Sequence, residues 1–419
     1  MTQADDPDGP DAIAASGPWI DTDFLTDLPA DTPIGVAVSG GSDSMAMLRL
    51  LAARYPVAAV TVDHGLRAAS AIEARFVGDT CAGLGISHDI LCWSGPEPTG
   101  NLMDQARRAR LALIGGWARG RGIGHVVLGH TADDQAETFL MRVARSSGLE
   151  GLSGMRPRFE AEGVTWHRPI LTMRRAQLRD YLREIGQDWI DDPSNENERF
   201  DRVKMRNALK TITPLGLTPD AINAVVRHLA MAESALQSVL GDWISTHCTT
   251  DRGDILINTA AFRRAAHPEL QRRIMNAALL WVSGADYAPR AAKLAAFLAN
   301  PRDCTLHGCR ISADDAAIRI TREANAVADL RVPPDHIWDR WAMSGEAPAP
   351  SNAHIGALGE AGLKFCPDWR RANLPRASLL ASPALWQGEN LLSAPLAGLE
   401  NGWKVQIACD GFAESLFRR

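Results

Sequence analysis

The stretch IGVAVSGGSDSMAMLRLLAARY, Ile34 to Tyr55, is a short apolar run that stops at two glycines, continues as Ser-Asp-Ser and then becomes an amphipathic helix. Glycines stabilise neither strand nor helix, so their presence at a strand-to-helix junction needs a reason. They allow positive φ and let a ligand approach the main chain closely. The helix start adds unpaired N–H groups and the positive end of its dipole. A phosphate or pyrophosphate is the natural tenant, held on Ser39, Gly40, Gly41, Ser42 and Ser44. Asp43 would repel that anion unless Mg²⁺ bridges the two, since this ion prefers oxygen ligands.

The pattern repeats outward from this turn. VAAVTVD (57–63), ISHDILCW (86–93) and HVVLG (125–129) read as strands, with helical stretches at 70–85, 102–119 and 133–145 between and after them. Alternation of this kind predicts a Rossmann-like parallel sheet covered on both faces, with the ligand edge at the strands' carboxyl ends. A mostly helical region is expected over 216–300. TLHGCRI and AIRITRE, joined by SADDA, read as a β-hairpin within a small mixed α/β C-terminal region, 301–419. The leader at 1–30, broken by proline and glycine and rich in acids, is expected to be disordered, which leaves 31–215 as the domain that carries the sheet and the phosphate-binding turn.

The chain has 419 residues, 46% of them hydrophobic, and a net charge of -6. No run of about 18 apolar residues and no secretion signal is present, so a cytoplasmic protein without a membrane partner is expected. Seven scattered cysteines argue for reduced thiols. Residues 101–210 are locally basic, with 19 Lys and Arg against 15 Asp and Glu. A basic run of this kind suits phosphate contacts. No G-x-x-x-x-G-K-[ST] occurs, so the turn is not of the Walker type.

A second cluster, LGHTADDQAET (128–138), follows the fourth strand. A helix starting near Ala132 puts Asp133, Asp134 and Glu137 within one turn, on the face that meets the first turn's ligand. These acids can hold Mg²⁺ or a cationic substrate, and His130 can bond substrate or orient the loop.

S-G-G-x-D-S after a first strand resembles the PP-loop of ATP pyrophosphatases, which cleave ATP to AMP and pyrophosphate. With G-H-x-x-D-D-Q-x-E-T (Gly129–Thr138), VDHGLR (62–67), R-P-[IL]-L at Arg168–Leu171 with the following Arg175, and W-I-x-D-x-S-N at Trp189–Asn195, the chain resembles the tRNA(Ile)-lysidine synthetase family over roughly 33–210. The resemblance implies ATP and Mg²⁺ as cofactors, with His64 and Gly129 joining the nucleotide site and Asp43 holding the metal. It implies catalysis by Asp43, His130, Asp133, Asp134 and Glu137, and RNA contacts by Arg168, Arg175, Arg202 and Arg206. The implied reaction joins L-lysine to C2 of the first anticodon cytidine of tRNA(Ile) bearing CAU, in a monomer or homodimer, with the C-terminal region recognising tRNA. One departure stands out: Val203 occupies the place of an expected asparagine in SNENERFDRVKMRN. A PP-loop tRNA thiolase is the nearest rival, although the chain has no C-x-x-C; a non-catalytic tRNA-binding protein is the other.

Overall fold

The computed structural model describes residues 21–23, 29, 31–63, 65, 70–93, 102–191, 201–264, 267–285 and 287–418. His64 and most of the 1–30 leader lie outside these residues. The chain divides into two compact units, Met1–Ser234 and Ala235–Arg419.

The first unit is built on a six-stranded sheet, in the order β3-β2-β1-β4-β6-β5. Its strands are β1 (Ile34–Ala37), β2 (Val57–Asp63), β3 (Ser87–Cys92), β4 (His125–Leu128), β5 (Arg158–Ala161) and β6 (Val164–His167). The first strand lies between two parallel neighbours, with Val36 opposite Ala59 on one side and Val127 on the other. Such a strand is buried on both faces, which is why IGVA reads as a continuous apolar run. Successive residues of β4 serve opposite faces: Val127 packs with Ile34, Val36, Met45 and Leu178, and Val126 and Leu128 pack with Ile114, Ala118 and Trp166.

The helices are α1 (Ser42–Ala52), α2 (Ser70–Gly83), α3 (Leu102–Gly120), α4 (Ala132–Ala144), α5 (Leu149–Leu152), α6 (Arg175–Glu184), α7 (Asp201–Ile212) and α8 (Pro219–His247). The four expected strands and the alternation are as read from the sequence. The β5–β6 hairpin was not anticipated. Its strands have four residues each, too short for a periodicity to stand out, and it turns at Glu162 and Gly163, both at positive φ. The last strand, β5, is antiparallel to β6 and closes the sheet.

The second unit holds a five-stranded antiparallel sheet, β7-β8-β11-β10-β9. Here β7 is Cys248–Asp251, β8 Asp254–Asn258, β9 Cys304–Leu306, β10 Cys309–Ala313 and β11 Ala317–Arg322. The expected hairpin is β10–β11, with Ile311 opposite Ile320. Residues 216–300 are mostly helical, through α8, Thr259–Arg264, Pro268–Ser283 and Ala291–Ala299, and they also hold β7 and β8, a hairpin turning at Arg252 and Gly253. Strands from both sides of residue 300 therefore share one sheet. Two smaller antiparallel sheets follow, one pairing Trp341–Gly345 with Trp403–Ile407, the other joining Ala353–Ala357, Pro383–Gln387 and Asn390–Ser393. Among the described residues, no helix is long and apolar enough to cross a membrane.

Candidate active site

The turn between β1 and α1 is fixed by its own polar groups. Gly40 sits at φ 84, a left-handed conformation that a residue with a Cβ adopts only under strain. Its carbonyl accepts the N–H of Ile190 at 2.9 Å, and the Ile190 side chain covers it. The W-I-x-D stretch thus clamps the turn from above. Gly41 caps α1 without a side-chain bond, which leaves the first-turn N–H groups open. Ser44 Oγ accepts from Ser39 N at 3.1 Å and donates to Gly41 O at 3.1 Å. In this structure the Ser44 hydroxyl braces the turn. Ser42 Oγ donates to Asp43 Oδ1 at 3.1 Å and accepts from Arg179 Nε at 3.2 Å.

Gly129, just past the end of β4, is packed closely against α1. A Cβ on it would lie 3.2 Å from both Cα and N of Ser44. The absence of a side chain lets the β4 end press against the start of α1, which brings the two sequence clusters together.

Helix α4 starts with a capping box: Thr131 Oγ1 accepts from Asp134 N, and Asp134 Oδ2 accepts from Thr131 N at 2.8 Å. One oxygen of Asp134 is therefore committed to the cap, and Oδ1 faces the site. Gln135 braces the far side of the helix, donating to Met155 O at 3.1 Å and accepting from Met155 N at 2.6 Å. Asn223 of α8 donates to Ala132 O at 2.9 Å.

Arginines from α6 and α7 meet the acids. Arg175 Nε is 2.9 Å from Asp43 Oδ2, and its Nη2 is 3.1 Å from Asp134 Oδ1. Arg202 reaches Asp134 Oδ1 at 3.2 Å and Glu137 Oε2 at 2.9 Å, and Arg206 Nε reaches Glu137 Oε1 at 2.8 Å. Asp133 accepts from the Arg175 backbone N–H at 2.7 Å and from Arg174 Nε and Nη2 at 3.2 and 3.1 Å. Burial raises the Asp43 carboxyl above its ordinary value, against the pull of Arg175. Burial pushes Asp134 the same way, but Arg202 and Arg175 overcome it and hold that carboxyl low. Burial works against the charge on Arg175 too, and Asp43 and Asp134 outweigh it.

His130 accepts from Arg168 Nε at 3.2 Å through Nδ1, and burial drives its pKa down to about 3 against the opposing pull of Asp134. It is a neutral acceptor here. Arg175, Arg202 and Arg206 turn toward these acids, and Arg168 toward His130 and the carbonyl of Arg156. For Arg175, Arg202 and Arg206, opposite charges in a partly dry site attract strongly. Sequence reasoning assigned no role to Thr131, Ile190 or Asn223. Only Thr131 left a signal, as the T-x-x-D spacing of a capping box.

A family model described as a PP-loop domain matches residues 22–212. The tRNA(Ile)-lysidine synthase of Ruegeria pomeroyi is 44% identical over 388 residues, covering 89% of this chain and 91% of the relative. The chain belongs to the tRNA(Ile)-lysidine synthase family. The synthases of Hyphomonas neptunium and of the Wolbachia of Brugia malayi are 40% and 32% identical; they cover 69% and 71% of this chain, and 81% and 72% of their own lengths is matched.

Val203, which departs from the lysidine synthetase pattern, is 7% exposed on α7. A buried asparagine there would need hydrogen-bond partners. The residues on either side of it, Arg202 and Arg206, hold Glu137 without that amide.

Proposed function

We propose that this chain joins L-lysine to C2 of the first anticodon cytidine of tRNA(Ile) bearing CAU, with ATP as the activating substrate and AMP and pyrophosphate as products. The observation that carries this reading is the meeting of an open anion-binding turn with four carboxylates at one sheet edge, in a chain of the lysidine synthase family.

An exocyclic oxygen of cytosine is a poor leaving group, so it is first adenylated and pyrophosphate departs. The open N–H groups at the start of α1, with the helix dipole, receive that pyrophosphate. The ε-amine of lysine then attacks C2 and AMP leaves. With a free pKa near 10.4, the amine must lose a proton before attack. Asp133 and Glu137 are the acids available to accept it or to hold the amine. The committed oxygen of Asp134 confines that residue to binding through Oδ1.

The donor set fits Mg²⁺. Asp43 Oδ2 and Asp134 Oδ1 converge on one guanidinium, so the same two oxygens can face a single divalent ion. Among the described residues no group of three or more His, Cys, Asp or Glu stands ready to hold a metal. Two carboxylate oxygens completed by water and phosphate oxygens match the habits of Mg²⁺. Bound there, the ion would neutralise charge on the phosphates.

The test is to incubate unmodified tRNA(Ile) with protein, ATP, Mg²⁺ and lysine, digest the RNA and weigh the nucleosides. Cytidine at the first anticodon position heavier by lysine less one water supports the reading. A sulfur-bearing nucleoside, or unmodified cytidine, overturns it.

A further inference from the structure

Ser39 to Ser44 holds no lysine or arginine, yet pyrophosphate brings several negative charges to this turn and Asp43 adds another. A cation has to come from elsewhere on the sheet edge. Most arginines there are matched to carboxylates of the site. Arg175 is shared by Asp43 and Asp134, and Arg202 and Arg206 hold Glu137, whose side chain is 1% exposed. Arg174 holds Asp133 as well as Asp220.

Arg179 is different. It stands one helical turn beyond Arg175 on α6, and both reach α1, Arg175 at Asp43 and Arg179 at Ser42. Its Nε donates to Ser42 Oγ at 3.2 Å, and Ser42 is the first residue of α1, where the N–H groups are open. Its Nη2 bonds Asp191 Oδ1, and Nη1 makes no hydrogen bond among the described residues. The guanidinium lies 5.7 Å from the centre of the Trp189 ring. The Asp191 side chain is 67% exposed, so water competes for it and the ion pair contributes little. A phosphate offers the same fork two oxygens and more charge.

We propose that Arg179 contacts the pyrophosphate of ATP: its guanidinium passes from Asp191 to phosphate oxygens beside Ser42 and stabilises the charge on the departing group. The inference rests on the reading of this turn as the seat of that pyrophosphate. Asp191 holds the guanidinium at the rim of the turn until ATP arrives. The W-I-x-D stretch thus has a second task besides the bond from Ile190 N–H to Gly40 O.

The test is calorimetry of the full chain with inorganic pyrophosphate and Mg²⁺. We expect Arg179→Gln to raise the Kd about 10-fold. Arg179→Lys keeps the charge and loses the fork, so it should recover part of that. Arg183→Gln is the control of equal charge change; Arg183 lies one turn further along α6, borders the same Trp189 ring and pairs with Asp180. Its Kd should match the native value. Asp191→Asn separates contact from bracing. Contact predicts binding tighter by about 2-fold to 5-fold, because the competing carboxylate is gone. If Arg179 only braces the turn through Asp191, both variants weaken binding alike, and that result overturns the proposal. An unchanged Kd in Arg179→Gln, or an equal effect of Arg183→Gln, also overturns it. The measurement needs neither tRNA nor lysine, so these outcomes hold whatever the nucleophile. Failure of the native chain to bind pyrophosphate would overturn the reading of the turn, and the inference with it.

Discussion

Arg175 and Asp43 are 132 residues apart in sequence, yet Nε of one lies 2.9 Å from Oδ2 of the other. The same guanidinium bonds Asp134 on α4, so one side chain ties the pyrophosphate turn to the acidic helix. It sets the spacing of the two carboxylates before any substrate arrives. Preorganised charge of this kind costs no rearrangement at the moment of reaction.

Arg175→Gln is therefore expected to lower kcat/KM for lysine incorporation by roughly 100-fold or more. The thermal midpoint should also fall, because Asp43 would lose its arginine partner while still facing Asp134, which keeps only Arg202. Steady-state kinetics and a melting curve on the same preparation check both. A variant with near-native kcat/KM would show that the bridge has no part in the chemistry.

Gly129→Ala should act on the nucleotide. Its Cβ would press on the Ser44 backbone at 3.2 Å, where only main-chain atoms could yield. Overpacking of this sort costs about 1–3 kcal/mol and would displace the start of α1. The KM for ATP should rise while the circular dichroism spectrum is retained. An unchanged KM for ATP would mean that the contact between β4 and α1 is not what positions the turn.

Buried histidines give the first unit a pH-dependent stability. His167 is pressed from the ordinary 6.5 down to about 4 by burial, and by His125 and Arg158. The unfolded chain protonates this group below about pH 6.5 and the folded chain only near 4. The unfolded state thus binds more protons in between, so stability rises with pH across that window and is lost as pH falls through it. His130 extends the loss to about 3. Urea unfolding from pH 7 downward should give a flatter profile for His167→Gln than for the native chain. Parallel profiles would contradict the assignment.

Val203→Asn restores the residue expected of the family. Arg202 and Arg206 already hold Glu137, so kcat/KM should change by less than about tenfold. A hundredfold gain, measured by lysine incorporation, would show that the missing amide limits this enzyme.

The sheet edge was legible because its signals are local. Two glycines with serines after an apolar run, and three acids in one helical turn, each declare a purpose without reference to the rest of the chain. Gly129 was named as a site residue, but its reason, close approach to Ser44, belongs to tertiary packing that no spacing reveals. The arginines illustrate the same limit. Their positive charge suggested RNA, yet which charge a guanidinium meets depends on how α6 and α7 fold back onto α4. The strands β5 to β8 escaped because runs of four or five residues carry too few alternations to distinguish from loop or helix. His64 lies outside the described residues, and its expected place at the nucleotide stays a proposal.

The central claim is that the turn opening α1 and the acids of α4 together attach lysine to one RNA. Labelled lysine, ATP and Mg²⁺ offered with unmodified tRNA(Ile) bearing CAU, beside tRNA(Met), test it most directly. The account predicts label in tRNA(Ile) alone, abolished by Asp43→Ala. Equal labelling of both RNAs, or label that survives Asp43→Ala, would contradict it.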